Sequence, residues 1–238
     1  MRIKKFLKKK LLRLQGSKNI FKLNYLYNKY FGEKDIGEIG LHFINKPNRQ
    51  KIVQDTINRK NFKSYLEIGC FNDELYNFIN CEHKIGVDPY SGGTTRKSSD
   101  DFFHENKNTF DCIFIDGLHI YKQVIKDILN SLKILNSNGV IFLHDCLPNN
   151  VYDQAVPRSQ YNWNGTVWKA IVECRTIQDI DTYTIYADHG IGVILKRKNR
   201  KLLKIQNKNF SKLKFSNYYN NYKEYMNIIS SEEFSDLF

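Results

Sequence analysis

The sequence predicts an α/β fold with a mostly parallel sheet, and the stretch 110–146 is the first evidence for it. The apolar runs 112–115 and 140–143 have the length of strands that are buried on both faces. Between them, apolar residues recur at helical spacing, and the polar segment 136–139 is expected to end this helix. A strand, a helix and a second strand in this order predict a parallel βαβ unit.

The remaining elements extend this unit in both directions. In chain order they are a helix at 47–59, strands at 64–68 and 85–88, a short helix after Ser98, a helix at 166–175, and strands at 182–186 and 191–195. The short connection 187–190 predicts that the last two strands form an antiparallel hairpin. The segment 147–164 is expected to be a long irregular connection, of the kind that forms lids or substrate walls. The predicted architecture has three layers, with helices on both faces of the sheet.

The charge of the chain is concentrated at its two ends. The net charge is +12, yet residues 1–30 hold ten Lys or Arg and no acid, and residues 196–214 hold nine and no acid. The rest of the chain has 18 basic and 25 acidic residues, so the basicity concerns location more than what the core binds. We expect a basic helical extension at 1–46, a central domain at 47–196, and a basic, Tyr- and Asn-rich helical extension at 197–238.

The N-terminal segment and the cysteines bear on location. Segment 1–14 places apolar residues on one helical face and lysines on the other, which is compatible with binding to anionic lipid or with packing on the protein itself. It does not have the pattern of a signal peptide, and no run reaches the ~20 apolar residues that span a bilayer. The five cysteines form no CxxC pair, which favours buried thiols in a reducing compartment. We therefore expect a cytoplasmic protein, at the inner face of the membrane if the N-terminus binds lipid.

Acids and histidines follow the two strands of the central unit. Asp116 comes directly after the first strand, and His144 and Asp145 come directly after the second. Because the carboxyl ends of parallel strands meet at one edge of a sheet, these residues are expected to lie together with His119. Carboxylates are ligands for divalent cations, and an imidazole can accept a proton near neutral pH. We therefore expect the chemistry at this edge.

The turn after the first strand favours one cofactor over others. It contains a single glycine, Gly69, followed by the acids Asp73 and Glu74 at the start of a helix. These acids would repel the pyrophosphate of NAD or FAD, whereas S-adenosylmethionine (SAM) has no phosphate and carries a cationic amino group and sulfonium. Asp88 ends the second strand 21 residues after Glu67, an offset that suits hydrogen bonding to ribose hydroxyls.

Four segments, LEIGC, GVDP, FDCIFIDGLH and GVIFLHDC, occur in this order. Together they resemble the motifs of class I SAM-dependent methyltransferases, and especially the small-molecule and sugar O-methyltransferases that include the macrolide-sugar enzymes. The resemblance covers about residues 47–196 and implies a Rossmann-like, seven-stranded fold that ends in an antiparallel hairpin. One departure is Asp73, at a position where a second glycine is common.

The resemblance also implies roles for individual residues. The cofactor would contact residues on the first strands and the helix after them, namely Glu67, Gly69, Cys70, Asp88, Pro89, Ser99, Asp100 and Asp116. In metal-dependent relatives the Asp116 position is a ligand, the His119 position is the base, and two residues at 144 and 145 complete the metal shell. With a histidine at 144 the metal is open between Mg²⁺ and a softer ion such as Mn²⁺, and His144 is itself a second candidate base. Candidates for the acceptor wall are Arg158, Trp163, Trp168 and Lys169, which could also be packing residues.

The function that these observations predict is an O-methyltransferase of polysaccharide or small-molecule biosynthesis. Its acceptor would be a small molecule or a sugar of a surface glycan, with or without a nucleotide or phosphate. An RNA methyltransferase is an alternative, but the basic residues are at the termini and no Asn-Pro-Pro-Tyr motif follows the fourth strand, so we expect no nucleic acid partner. A catalytically silent SAM-binding or scaffold module in a glycan-assembly complex also remains open, as does a homo-oligomer.

Overall fold

The computed structural model describes residues 18–237, in which seven strands form one sheet between two layers of helices. The strands are β1 (Ser64–Ile68), β2 (His83–Val87), β3 (Phe110–Ile115), β4 (Leu135–Leu143), β5 (Asp181–Ile185), β6 (Ile191–Leu195) and β7 (Ile228–Ile229). The helices are α1 (Lys18–Phe31), α2 (Arg49–Lys60), α3 (Glu74–Phe78), α4 (Ser99–Glu105), α5 (Tyr121–Ile134), α6 (Val151–Gln154), α7 (Val167–Cys174), α8 (Phe215–Met226) and α9 (Ser231–Ser235), with a 3₁₀ turn at Phe210–Lys212.

The strand order is β2-β1-β3-β4-β6-β5-β7, and β6 alone among these strands runs antiparallel to its neighbours. The predicted Rossmann-like sheet with an antiparallel terminal hairpin is therefore confirmed. Ile68 of β1 pairs with Ile115 of β3, which in turn pairs with Leu143 of β4. Because these last residues are in register, the side chains that follow the three strands emerge side by side at one edge.

Alternation along the strands supplies two apolar cores, one on each face of the sheet. Leu66, Ile113 and Ile141 face the layer formed by α4, α5, α7 and α8. Tyr65 and Phe114 face the layer formed by α2, α3 and α9. The strands are buried on both faces, as their unbroken apolar sequences predict.

Two local features differ from the sequence prediction. The segment 136–139 does not form a turn: α5 ends at Ile134 and β4 begins at the next residue. Asn136 donates a side-chain hydrogen bond to Asp111 at 2.7 Å, which ties this segment to the start of β3 where the register between β3 and β4 shifts. In addition, the connection 147–164 contains the short helix α6, which Asn150 caps.

The chain after residue 196 completes the sheet and both cores. β7 pairs in parallel with β5, Tyr218 of α8 is fully buried, and Phe234 of α9 packs in the other core. The five cysteines are free thiols, and four of them are buried, as the sequence predicts. No helix within residues 18–237 has the length and apolar content that crossing a membrane requires. The predicted amphipathic segment 1–14 lies outside the described residues.

Candidate active site

Four titratable side chains meet at the edge of the sheet where β3 and β4 end. Asp116 follows β3, His144 and Asp145 follow β4, and His119 precedes α5. Nε2 of His119 lies 2.9 Å from Oδ1 of Asp116, and Nδ1 of His119 lies 3.5 Å from Oδ2 of Asp145. Nδ1 of His144 lies 3.2 Å from Oδ2 of Asp145 and 3.5 Å from Oδ2 of Asp116. The structure thus brings together the four residues for which the sequence predicts a shared site, and we call them the His–Asp cluster.

Trp163 fixes the orientation of His119. Its carbonyl oxygen lies 2.9 Å from Nδ1 of His119, and its indole ring stacks on the imidazole with the ring centres 5.4 Å apart. Because a carbonyl oxygen only accepts hydrogen bonds, we assign the proton to Nδ1. Nε2, which faces Asp116, is then the ring atom that can lose or gain a proton.

Asp188 and Arg49 extend the cluster on the His144 side. Oδ1 of Asp188 lies 3.3 Å from Nε2 of His144, and Oδ2 accepts the backbone N–H of Arg49 at 2.7 Å. The guanidinium of Arg49 pairs with the same carboxylate at 3.3 Å. Because Asp188 holds one ring nitrogen of His144, the other nitrogen faces Asp116 and Asp145.

The charges of the cluster shift one another's pKa. Burial alone would lower the pKa of His119, but the hydrogen bond to Asp116 and the charge of Asp145 raise it above its usual value. Burial would also lower the pKa of His144, but the charges of Asp145 and Asp116 raise it well above the usual range. Burial would raise the pKa of Asp116 and Asp188, but His144 holds both well below their usual range. The carboxylates thus stabilise the charged form of each imidazole, and His144 stabilises the charged form of Asp116 and Asp188.

The backbone at this edge is tightly constrained. Gly69, directly after β1, has a φ of +90°, and a Cβ there would overlap the carbonyl oxygen of Asp116. Only glycine fits so close an approach between the ends of β1 and β3. Asp145 has a φ of 58°, a left-handed conformation that is uncommon outside glycine. Strain of this kind tends to occur at functional sites.

Acids line the turn after β1. Glu67 is 2% exposed, and its Oε2 accepts the hydroxyl of Tyr65 at 2.6 Å. Burial raises the pKa of Glu67 to about 8. Asp73 has a φ of 62° and accepts the backbone N–H of Gly93 at 2.5 Å. This left-handed conformation gives a physical reason for the glycine that is common at the Asp73 position.

Asp88 organises the loop that follows β2. Its carboxylate accepts the backbone N–H groups of Phe71 at 3.1 Å, Tyr90 at 2.7 Å and Ser91 at 2.9 Å. A carboxylate offers about four acceptor positions, so roughly one remains for a ligand hydroxyl. Asp88 therefore joins the first turn to the next loop, and its predicted ribose contact stays a prediction.

The other residues predicted to bind the cofactor lie near this turn or on α4. Cys70 is buried and Pro89 is exposed. Ser99 accepts a hydrogen bond from Gln123 of α5 at 3.2 Å, and Asp100 pairs with Lys126 of α5 at 2.7 Å. Both α4 residues are thus tied to α5, and their predicted contact with adenine remains a prediction.

A cavity of about 490 Å³ opens beside the His–Asp cluster. Side-chain amides dominate its lining, together with aromatic and apolar groups, and the full set is Leu41, Phe43, Leu147, Asn149, Asn150, Asp153, Gln160, Tyr161, Asn162, Asn164 and His189. Asn164 links cavity and cluster, because its side-chain nitrogen lies 3.3 Å from Oδ1 of Asp145. The volume falls in the range of small-molecule sites, about 300–1,000 Å³.

Comparison with known protein families identifies the domain that forms this edge. Residues 61–146 match the family model of a methyltransferase domain. The chain carries a class I SAM-dependent methyltransferase domain. The matched segment of this methyltransferase runs from just before β1 to just past Asp145. It therefore contains both the acid-lined turn and the His–Asp cluster.

Solved structures resemble the methyltransferase at low sequence identity. Cofactor-bound Rv0187 from MTB aligns with a TM-score of 0.51 and 12% identity, over 74% of this chain and 95% of that chain. SAH-bound PaMTH1 of Podospora anserina aligns with a TM-score of 0.47 and 16% identity, over 63% and 78%. The O-methyltransferase of Bacillus cereus with SAH aligns with a TM-score of 0.47 and 13% identity, over 75% and 89%. The Rv0187 alignment supports the shared fold alone, and the comparison with curated sequences finds no match.

The residues predicted for the acceptor wall fall into two groups. Trp163 contacts His119. Arg158 holds the loop 160–162, which lines the cavity and which we call the cavity loop, by donating to the carbonyl oxygens of Gln160 and Tyr161. Trp168, however, is fully buried and donates its indole N–H to Gln154, while its ring packs on Tyr218. Its buried packing is the reason that it does not line the cavity.

Lys169 is likewise outside the cavity lining of the methyltransferase. It is 7% exposed, and its ammonium group lies 3.3 Å from the carbonyl oxygen of Ser211. Burial lowers its pKa.

The residues that sequence reasoning missed are Asp188, Arg49 and Asn164. The only sequence signal for Asp188 is an acid beside a histidine in a turn at the ligand edge, and we assigned that turn only to a hairpin.

Proposed function

We propose that this methyltransferase transfers the methyl group of SAM to a hydroxyl of a neutral small-molecule or sugar acceptor. The observation that carries the proposal is the position of the His–Asp cluster next to the amide-lined cavity, with Asn164 touching both. A hydroxyl held in this cavity would approach two imidazoles and two carboxylates. Methyl transfer to a hydroxyl requires alignment of the two reactants and removal of the hydroxyl proton, and these groups suit the second task.

His119 is the proposed base. The reactive form is the neutral imidazole, which becomes more populated as the pH rises through the raised pKa of His119. In that form the Nδ1 proton is held by the Trp163 carbonyl, and Nε2 takes up the proton of the acceptor hydroxyl. Asp116, 2.9 Å from Nε2, orients the ring and stabilises the imidazolium that forms. Asp145 adds a second negative charge at 3.5 Å. Base catalysis of this kind contributes about 10²- to 10⁴-fold to a rate.

The acid-lined turn fits SAM. Glu67 is a buried acid that a cationic amino group would favour in its ionised form, and Gly69 allows the backbone after β1 to lie directly against that of Asp116. Asp88 retains room for about one ribose hydroxyl after its three backbone contacts. When bound, SAM supplies the methyl group that the acceptor oxygen attacks.

The donor atoms of the cluster also fit a divalent cation. One ligand atom from each of Asp116, His144 and Asp145 lies within 4.8 Å of the others. Two carboxylates with an imidazole suit Mn²⁺, Fe²⁺ or Zn²⁺ better than Mg²⁺. A cation held there would lower the pKa of a bound hydroxyl. Asp188 would then act as the carboxylate that orients the ligand His144 through its other ring nitrogen.

The lining of the cavity supports a neutral, hydroxyl-bearing acceptor. Five of its side chains are amides, which both donate to and accept from hydroxyl groups. Among the described residues that line it there is no Lys or Arg, and Asp153 adds a negative charge. A phosphate would find no Lys or Arg in that lining, so the proposal favours an acceptor whose cavity-bound part is uncharged.

The experiment is methyl transfer from methyl-labelled SAM to a panel of neutral sugars, glycan fragments, phenols and RNA. We expect label in a hydroxyl-bearing small molecule or sugar, as an ether that survives mild alkali, whereas a methyl ester would be cleaved. Tyr161→Ala should raise the KM for that acceptor and leave SAM binding unchanged. Phe78→Ala, at an exposed ring of α3, is the matched control. Label found in RNA alone would overturn the proposal.

A chelator tests the role of the metal separately. Loss of activity that Mn²⁺ restores would support a bound cation, and unchanged activity would leave proton removal to His119 alone. A silent SAM-binding module would bind SAM and transfer no methyl group to any member of the panel.

A further inference from the structure

Helix α1 presents an apolar stripe to solvent. Its five members follow the spacing of one helical face, and they are Leu23 (66% exposed), Leu26 (41%), Tyr27 (52%), Tyr30 (71%) and Phe31 (77%). A surface helix normally turns its apolar face to the core and its polar face to water. The outward stripe of α1 has the opposite arrangement.

The inward face of α1 is attached to the protein largely through polar side chains. Asn24 donates to the carbonyl oxygen of Arg158 at 2.6 Å, and Asn28 donates to that of Pro157 at 2.8 Å. Tyr25 packs on Tyr152 with ring centres 4.8 Å apart. These contacts fix which way the helix faces, so the stripe points outward because of specific bonds.

The charge around the stripe indicates what covers it. Lys22 and Lys29 are exposed beside it on α1, and residues 1–30 carry ten basic residues and no acid. Two copies of this helix would bring like charges together, which disfavours a second copy as the partner. A nucleic acid would match the charge but offers little to an apolar stripe of this length. An anionic lipid surface matches both, because tyrosine rings and leucines insert at the headgroup level while lysines pair with headgroups.

We propose that the outward face of α1 docks on an anionic lipid surface. The helix would lie in the plane of the interface, with Leu23, Leu26, Tyr27 and Tyr30 inserted and Lys22 and Lys29 at the headgroups. Arg158 connects α1 to the active site from the inward side of the helix, since its guanidinium lies 5.4 Å from the ring centre of Phe21 and it also holds the cavity loop. Docking would therefore bring the cavity loop close to the membrane.

Vesicle sedimentation of the full chain tests this proposal. Phosphatidylcholine vesicles that contain phosphatidylserine should bind the protein at low salt, and pure phosphatidylcholine should bind it much less. Lys22→Glu with Lys29→Glu should weaken binding by more than about 10-fold, because each base near such a surface contributes about 5-fold. Leu23→Ser with Tyr30→Ser should weaken it by about 10-fold or more. Leu129→Ser, at a 46% exposed leucine on α5, is the matched control.

SAM titration and circular dichroism establish that each variant is folded. Binding by Leu23→Ser with Tyr30→Ser equal to that of the wild type would overturn the proposal. Equal binding to both kinds of vesicle would overturn it as well. Light scattering that detects a dimer which the same substitutions dissociate would identify a second copy as the partner, and would contradict the lipid assignment.

Discussion

The two halves of the ligand edge hold their carboxylates in different ways. After β2, Asp88 accepts three backbone N–H groups, and in the turn after β1, Asp73 accepts one more. After β3 and β4, Asp116 and Asp145 contact the imidazoles of His119 and His144. The same chemical group is thus fixed by the backbone in one half and by titratable side chains in the other.

This difference separates two tasks. A backbone N–H does not exchange its proton in catalysis, so carboxylates held in this way form a rigid, negatively charged cradle suited to a cationic cofactor. An imidazole does exchange its proton, and its pKa responds to the carboxylates around it. Substitutions in the first half should therefore change SAM binding, and substitutions in the second half should change turnover.

The largest effect is expected for His119→Ala. We expect kcat to fall by about 10²- to 10⁴-fold, because the proposed general base is lost. The dissociation constant for SAM should stay within about 2-fold, because its proposed contacts lie after β1 and β2. Steady-state kinetics with the labelled acceptor measures the change, and His104→Ala, at an exposed histidine of α4, is the control. Near wild-type turnover would move the base to His144.

A smaller loss of turnover is expected for Asp188→Asn. The asparagine keeps the size of the side chain but removes the charge that pairs with Arg49 and orients His144. Loss of an orienting carboxylate costs about 10- to 100-fold in activity or metal affinity. Initial rates with and without added Mn²⁺ measure it, with Asp179→Asn at an exposed acid as the control. Equal initial rates for Asp188→Asn and Asp179→Asn would mean that catalysis does not require Asp188 to orient His144.

The smallest effect concerns stability and Glu67. Its pKa rises from 4.5 to about 8 on folding, so the folded protein holds this proton more tightly than the unfolded chain. The stabilisation is complete below the unfolded pKa and is lost as the pH rises towards 8. Glu67→Gln should remove that loss, which amounts to at most about 1.4 kcal/mol per pH unit.

Urea unfolding of the free protein at several pH values measures this difference. The free energy of unfolding of the wild type should fall more steeply between pH 5 and the pKa of about 8 than that of Glu67→Gln. Glu82→Gln, at an exposed acid, should follow the wild type. Parallel curves for wild type and Glu67→Gln would mean that Glu67 ionises at its ordinary pKa.

The His–Asp cluster can be predicted from the sequence because it depends on short segments, in which polar residues directly follow apolar strands. Each acid follows an apolar run that must be a buried strand, and the carboxyl ends of parallel strands share an edge. Asp188 and Arg49 escape such reasoning because their pairing joins positions 139 residues apart. This pairing depends on how the β5–β6 hairpin packs against α2, and the spacing of apolar residues in the sequence does not predict that packing.

The same limit applies to packing and to the end of the sheet. Trp168 lies on a helix near the site, and its sequence position alone does not distinguish a cavity wall from the core in which it is buried. β7 has two residues, too few for an alternating pattern, and it forms only because β5 offers a free edge. The stripe on α1 is visible as a helical period, but its outward direction depends on Asn24 and Asn28.

Calorimetric titration of SAM into the wild type, Asp88→Ala and His119→Ala tests the division between the two halves most directly. We predict one SAM per chain for the wild type and a dissociation constant that His119→Ala leaves unchanged. Asp88→Ala should bind more weakly by about 1–3 kcal/mol, because the proposed ribose contact is lost and three backbone N–H groups lose their acceptor. SAM affinity that is equal in wild type and Asp88→Ala, or reduced in His119→Ala instead, would contradict the account.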